Sequence, residues 1–296
     1  MILRHMTLLK SANTTAVFQL ESEGMKRYLL KLQPDCFEDI IAMLALYRPG
    51  PLNSGMVDDF IKRKQGIQKI DYFHDDLKEC LSPTYGVIVY QEQVMQIAQI
   101  IAGYSLGSAD ILRRAMGKKK VEEMSRQRKI FIEGATSREY STNLAVRLFD
   151  LMEKFAEYGF NKSHTAAYAF ITYQTAWLKS HHPAAFYSST LTSDLHDTDR
   201  IALLIQDCKK NGVKVLSPSI NYSMYSFTTI LIEDKAMIRF GLGAIKGVGE
   251  SIIRIIIEAR QQGLFKNLLD FCSRVDRKAI NKKAFEALIC SGSMDC

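Results

Sequence analysis

Apolar positions along the chain recur mostly at helical spacing. Leu144, Leu148, Leu151, Met152 and Phe155 share one face of an amphipathic helix expected over 144–157. The stretch VIVYQEQVMQIAQIIAGY opens as a buried run and continues as a helix to Ile101, with Gly103 as its stop. Ser22 to Leu46 reads as helical, with Pro34 opening a second helix after Leu32. Arg48-Pro49-Gly50-Pro51 predicts an extended turn, because each proline fixes its own backbone and restricts the residue before it. Further helices are expected over 56–64, from Ser105 or Ser108 through Met116 with Gly117 as stop, and from about Thr165 to Ser180. Strand signals are confined to the last third, where YSFTTILI and AMIRFGL flank Glu233-Asp234-Lys235 and predict a β-hairpin. The polar run SDLHDTDR (193–200) is the natural boundary and gives domains at 1–192 and 193–296. The expected fold is mainly α, a helical domain followed by a smaller module with a β-hairpin.

Composition narrows the class without naming a function. With 296 residues, 47% apolar and 24% charged, the chain has enough apolar surface for one large core or two smaller ones. Its apolar runs fall far short of the roughly 20 residues of a membrane span, and a soluble cytoplasmic protein is expected. The six cysteines form no Cys-x-x-Cys pair and have no histidine at zinc-finger spacing, so reduced thiols are expected. The net charge of +7 favours an acidic partner. That charge is uneven: between Arg113 and Lys129 eight basic residues face only Glu122 and Glu123. Such a run is either a solvated helical face or a phosphate-binding strip.

Three motifs carry possible chemistry. In YGFNKSHTAAYA (158–169) a glycine turn leads to Asn161, Lys162, Ser163 and His164 at a helix start. Unpaired N–H groups and the positive end of the helix dipole suit phosphate there, and a capped helix with a surface lysine is the alternative. In SLGSADILRRAMGKKK, Arg113 and Arg114 lie three and four residues after Asp110. Either could simply pair with it as a helix-surface ion pair, but one aspartate is expected to be too few for two guanidinium forks, and the alternative is a triphosphate or a DNA backbone. Lys118, Lys119 and Lys120 follow at once as candidate DNA contacts. In FGLGAIKGVGESIIRIIIEAR, Lys246, Gly247, Val248 and Gly249 precede an amphipathic helix in the pattern of a helix-hairpin-helix turn. Main-chain N–H groups in such a turn reach a DNA phosphate without reading sequence. Arg274, Arg277, Lys278, Lys282 and Lys283 add positive charge downstream. The pairs Glu38/Asp39, Asp58/Asp59 and Asp75/Asp76 lack an Asp-x-Asp strand pattern and are read as exposed or capping acids.

Six segments taken in order carry a family resemblance: VFQLESEGM, ALYRPGPLNSGMVDDFIKRK, PTYGVIVYQEQVMQIA, LRRAMGKKK, YGFNKSHTAAYA and GLGAIKGVGE. Together they resemble the bacterial DNA polymerase III alpha subunit, a C-family replicative polymerase, over its fingers region and helix-hairpin-helix module. The resemblance implies that Arg113, Arg114, Lys162 and His164 meet the incoming nucleotide, with His164 near the sugar. It also implies that the two cation groups converge on one anionic cleft. The family's catalytic carboxylates lie in a palm that precedes VFQLES, so no catalytic residue and no bound cofactor are expected here, magnesium being held by the palm alone. The isolated chain is expected not to polymerise. Implied partners are template-primer DNA, deoxynucleoside triphosphates and other holoenzyme subunits, with no membrane. The alternative is a non-catalytic DNA-binding module acting through the C-terminal hairpin.

Overall fold

A computed structural model describes residues 4–118, 121–155, 158–276 and 280–295. It is mainly helical, and its chain divides into two compact units. The first comprises residues 1–13 and 18–174, the second residues 14–17 and 175–296. The division falls inside a long helix, whereas SDLHDTDR is a helix-to-helix connection in the second unit, its Asp197 capping the helix that follows.

The first unit begins with α1 (Arg4–Lys10), α2 (Glu23–Leu32) and α3 (Phe37–Leu46). The second of two expected helices opens at Phe37 rather than Pro34, because Gln33 is left-handed and the side chain of Asp39 reaches back to the Cys36 N–H. Next come α4 (Pro49–Asn53), α5 (Met56–Lys64) and the single turn α6 (Lys78–Leu81). The Arg48-Pro49-Gly50-Pro51 segment is therefore helical after Arg48, which alone is extended. The first turn of a helix tolerates prolines, since its N–H groups have no intrahelical partner.

The core of this unit forms around α7 (Gln91–Ala102), which packs on α8 (Leu106–Lys118) and α9 (Val121–Ser137). Gly103, left-handed at φ 68°, ends α7 where expected, but α8 runs through Gly117. Gly134 lets the α9 backbone press on the end of α7: a Cβ there would lie 2.3 Å from the Ala102 carbonyl oxygen. Against α9 lies α10 (Thr142–Phe155), which buries Ala145, Leu148, Phe149, Met152 and Phe155. Fully burying one such large side chain contributes about 1.5–3 kcal/mol. The long α11 (Lys162–His181) leads into the second unit.

In the second unit α12 (Pro183–Ser193) and α13 (Thr198–Lys210) flank a sheet of β1 (Val215–Leu216), β2 (Thr228–Ile232) and β3 (Lys235–Arg239). The predicted hairpin is present, with Thr228 opposite Arg239 and Ile232 opposite Lys235. Glu233 and Asp234 are both left-handed, as a two-residue hairpin turn requires. β1 joins β3 in parallel and completes the order β1-β3-β2. A separate core holds α14 (Glu250–Arg260), α15 (Leu268–Arg274) and α16 (Lys282–Cys290) around Ile253, Ile256, Phe271 and Leu288. Lys179 and Asp207 form a buried ion pair at 2.7 Å, and the Lys179 ammonium also donates to the Thr15 carbonyl at 2.8 Å. No helix among the described residues is long and apolar enough to cross a membrane.

Candidate nucleic-acid interface

In the first unit, the start of α7 lies between the two predicted nucleotide-binding groups. The extended 87–90 segment pairs with Phe160: Phe160 N–H donates to the Val89 carbonyl at 3.3 Å and Gln91 N–H to the Phe160 carbonyl at 2.9 Å. The Gln91 side chain then bridges the groups, its Nε2 donating to the Gly159 carbonyl at 3.2 Å and its Oε1 accepting from Arg113 Nη1 at 3.2 Å. Arg48 clamps the same turn from the other side. Its Nη2 donates to the Tyr158 carbonyl at 2.6 Å, and its guanidinium stacks 4.3 Å from the Phe160 ring centroid.

The side chains themselves are already engaged. Asp110 Oδ1 accepts from Arg113 Nε at 2.9 Å and Nη2 at 2.7 Å, while its Oδ2 lies 2.8 Å from Arg114 Nε. One aspartate thus serves both guanidinium groups, contrary to the expectation, because its two oxygens face helix positions three and four residues on. The hydrogen bonds from Arg113, with the charge of both arginines, hold the Asp110 carboxyl below its ordinary range. The helix start is engaged as well: Lys162 N–H donates to Glu92 Oε1 at 3.1 Å and Oε2 at 3.0 Å. Asn161 Oδ1 caps the His164 N–H at 2.8 Å, and its Nδ2 donates to Glu92 at 3.1 Å. A protein carboxylate therefore sits at the helix end where phosphate was expected.

Arg113 and Lys162 line different cavities at the start of α7. Arg113 lines a narrow recess with Gln91, Phe155 and Gly159. Lys162 lines a cavity of about 440 Å³ with Asp76, Glu79 and Glu92, its ammonium 5.3 Å from the Tyr90 ring centroid. Gln91 and Glu92 are successive helical residues about 100° apart, so they face the two groups from different sides of the first turn of α7. Cys80 also lines the larger cavity, and burial pushes its thiol up to about 11, keeping it neutral. His164 is exposed and sits in a row of rings, 5.4 Å from Phe160 and 4.4 Å from Tyr168.

The second unit offers a different helix end. Gly247, at φ 98°, turns the chain, Val248 is buried in the module's core, and extended Gly249 opens α14 with no side-chain cap. The first-turn N–H groups of α14 thus lack the side-chain acceptor that those of α11 have. They border a cavity of about 320 Å³ with Lys246, with His196 from the connection after α12 and with Thr198 at the start of α13. Of the downstream cations, Arg274 is structural: it pairs with Asp270 at 3.2 Å and donates to the Gly263 carbonyl at 2.7 Å. The Lys283 stem lies beside Gly247. Lys119, Lys120, Arg277 and Lys278 lie outside the described residues, as does the side chain of Lys118.

The acidic pairs divide in two. Asp39 is buried, caps α3 and pairs with Lys64 at 2.8 Å, so it is not an exposed acid. Asp35, Cys36 and Asp39 cluster closely enough to suggest a metal site. The Lys64 ammonium, 2.7 Å from Asp35 and 2.8 Å from Asp39, already supplies the counter-charge, and the cluster does not fit a metal. The five described cysteines are free thiols.

A helical unit is thus followed by a small module in which a glycine turn opens a helix. Residues 4–139 match the bacterial DNA polymerase III alpha subunit finger domain, and residues 212–296 match a helix-hairpin-helix motif. DNA polymerase III subunit alpha of Vibrio cholerae is 56% identical over 293 residues, covering 97% of this chain and 25% of the relative. The proteins of the same name from Pasteurella multocida and Escherichia coli K12 are 57% and 54% identical over 294 residues, with the same shares covered. The chain belongs to the bacterial DNA polymerase III alpha subunit family and spans about a quarter of the length of these curated relatives.

Proposed function

We propose that this chain is a DNA- and nucleotide-binding part of a replicative DNA polymerase, with its firmest grip on DNA at the start of α14. The observation that carries this reading is the contrast between two helix ends. The first turn of α11 is closed by Glu92 and Asn161, whereas that of α14 has no side-chain cap and borders a cavity rimmed by Lys246. A DNA phosphate there gains main-chain N–H donors, the helix dipole and one lysine. Arg113 and Arg114 serve the triphosphate of the incoming nucleotide by exchanging Asp110 for phosphate oxygens, and Lys162 and His164 meet another part of the same nucleotide at the start of α11, where Glu92 gives up the Lys162 N–H. Their chemical contribution is neutralisation of charge as pyrophosphate leaves. The metal ions of phosphoryl transfer belong to carboxylates elsewhere in the polymerase, so the isolated chain gives no primer extension.

The engagement of both arginines by Asp110 favours a second reading, in which the C-terminal module binds DNA and the first unit does not bind nucleotide. Duplex-DNA affinity of the full chain, followed against salt, tests the first claim. Lys246→Ala should flatten the slope of log affinity on log salt by about 0.9, the value for one lost phosphate contact. An unchanged slope removes α14 from the interface. Addition of a deoxynucleoside triphosphate separates the readings: perturbed Arg113 and His164 resonances support the first, and their silence at saturating nucleotide supports the second.

A further inference from the structure

A cavity of about 150 Å³ lies between α5, α10 and the 86–88 segment of the first unit. None of the four predicted nucleotide residues lines it, and it stands apart from the roles proposed above. Its walls are largely apolar, with Met56, Phe73, Val87, Leu151 and Phe155 among them. A dry cavity of about this volume, lined by aliphatic and aromatic side chains, accommodates a benzene-sized group.

The polar side of the same cavity is Arg63. Its Nη1 donates to the Tyr85 carbonyl at 3.3 Å, but its Nε–H is buried with no acceptor. No carboxylate among the described residues lies within ion-pair distance of it. An N–H donor buried without an acceptor carries a desolvation penalty that an incoming acceptor removes. Asp59 and Lys154 also line the cavity, so its walls carry two cations and one acid, with the Asp71 carboxyl also within the field of Arg63.

We propose that this cavity is a binding site for a small aromatic carboxylate. Its ring lies among Met56, Phe73, Leu151 and Phe155, and its carboxylate accepts from Arg63 Nε–H. The volume sets the ring size, the walls its apolarity, and the acceptorless Arg63 Nε–H the place of its carboxylate.

The test is titration of benzoate into the full 296-residue chain, read by NMR of its methionine and leucine methyl groups. Saturable shifts at Met56 and Leu151, with a shift of the Arg63 Nε–H, are expected. Benzyl alcohol, similar in size but uncharged, should bind at least about ten-fold more weakly, the typical worth of a hydrogen bond between charged groups. Arg63→Lys keeps the charge, loses the Nε–H and should weaken benzoate by a similar factor. Should that variant lose its dispersed spectrum, the benzoate and benzyl alcohol affinities of the unaltered chain still test the Arg63 contact, and competition of toluene against benzoate tests the ring site. Absence of saturable shifts at both methyl groups overturns the site, as does equal affinity for benzoate and benzyl alcohol.

Discussion

Glu92→Ala isolates the helix end that the sequence offers as a phosphate site. One carboxylate receives the Lys162 N–H at 3.1 and 3.0 Å and the Asn161 side chain at 3.1 Å, while also lying in the first turn of α7. Losing a helix cap costs about 0.5–2 kcal/mol, and losing an acid near a helix dipole about 0.3–1 kcal/mol more. Because Glu92 is half-buried, the expected loss is about 1–2 kcal/mol, a fall of roughly 2–8 °C in melting temperature for a unit of this size. The same change removes a negative charge from the position proposed for a phosphate. At about 4 Å and high dielectric that repulsion is worth about 1 kcal/mol, so pyrophosphate should bind roughly five-fold more tightly. Thermal unfolding followed by circular dichroism measures the first effect and calorimetric titration with pyrophosphate the second. Lower stability with no gain in pyrophosphate affinity leaves Glu92 a structural cap and removes the nucleotide role from the start of α11. Unchanged stability refutes the capping argument itself.

Three further outcomes follow from the geometry. The hydrogen bond from Arg113 depresses Asp110's folded-state pKa, so the stability it contributes is present above its unfolded value of about 3.9 and disappears as pH falls through the lower folded value. A carboxyl-carbon NMR titration should place Asp110 below that value, and Arg113→Ala should move it upward. Lys179→Met leaves Asp207 buried with Tyr187 as its remaining side-chain partner and should destabilise the second unit by about 3–5 kcal/mol in chemical denaturation, with Asp207→Leu in the same chain recovering part of the loss. Gly247→Ala forces a side chain into a φ of 98° and should cost about 1 kcal/mol and weaken duplex binding, whereas Gly249→Ala, at an extended φ with open space around its Cβ position, should be the milder change.

Much of the fold was legible because its signals are local. α5 spans the expected residues, Gly103 ends α7 through its left-handed backbone, and the turn at Glu233 and Asp234 joins the two alternating segments. The two-residue β1 has no period to detect and is defined only by pairing with β3. Pro49 and Pro51 misled because the rule that breaks a helix interior does not apply to a first turn. The candidate site was less legible than the fold. Its residue types were readable, but their partners are remote: Glu92 reaches Lys162 from 70 positions away, and no spacing announces such a contact. Asp110 stands beside the arginines in the sequence, and its two oxygens, rather than its single charge, set how many guanidinium groups it serves.

The amide of Gln91 has a fixed polarity, with its oxygen turned to Arg113 and its nitrogen to Gly159. Glutamate there would strengthen the guanidinium contact but set a lone pair against the Gly159 carbonyl, and methionine would lose both ends. Only a side chain that gives at one tip and takes at the other can link the arginine helix to the glycine turn, so the mechanical connection between them depends on which way a single amide faces.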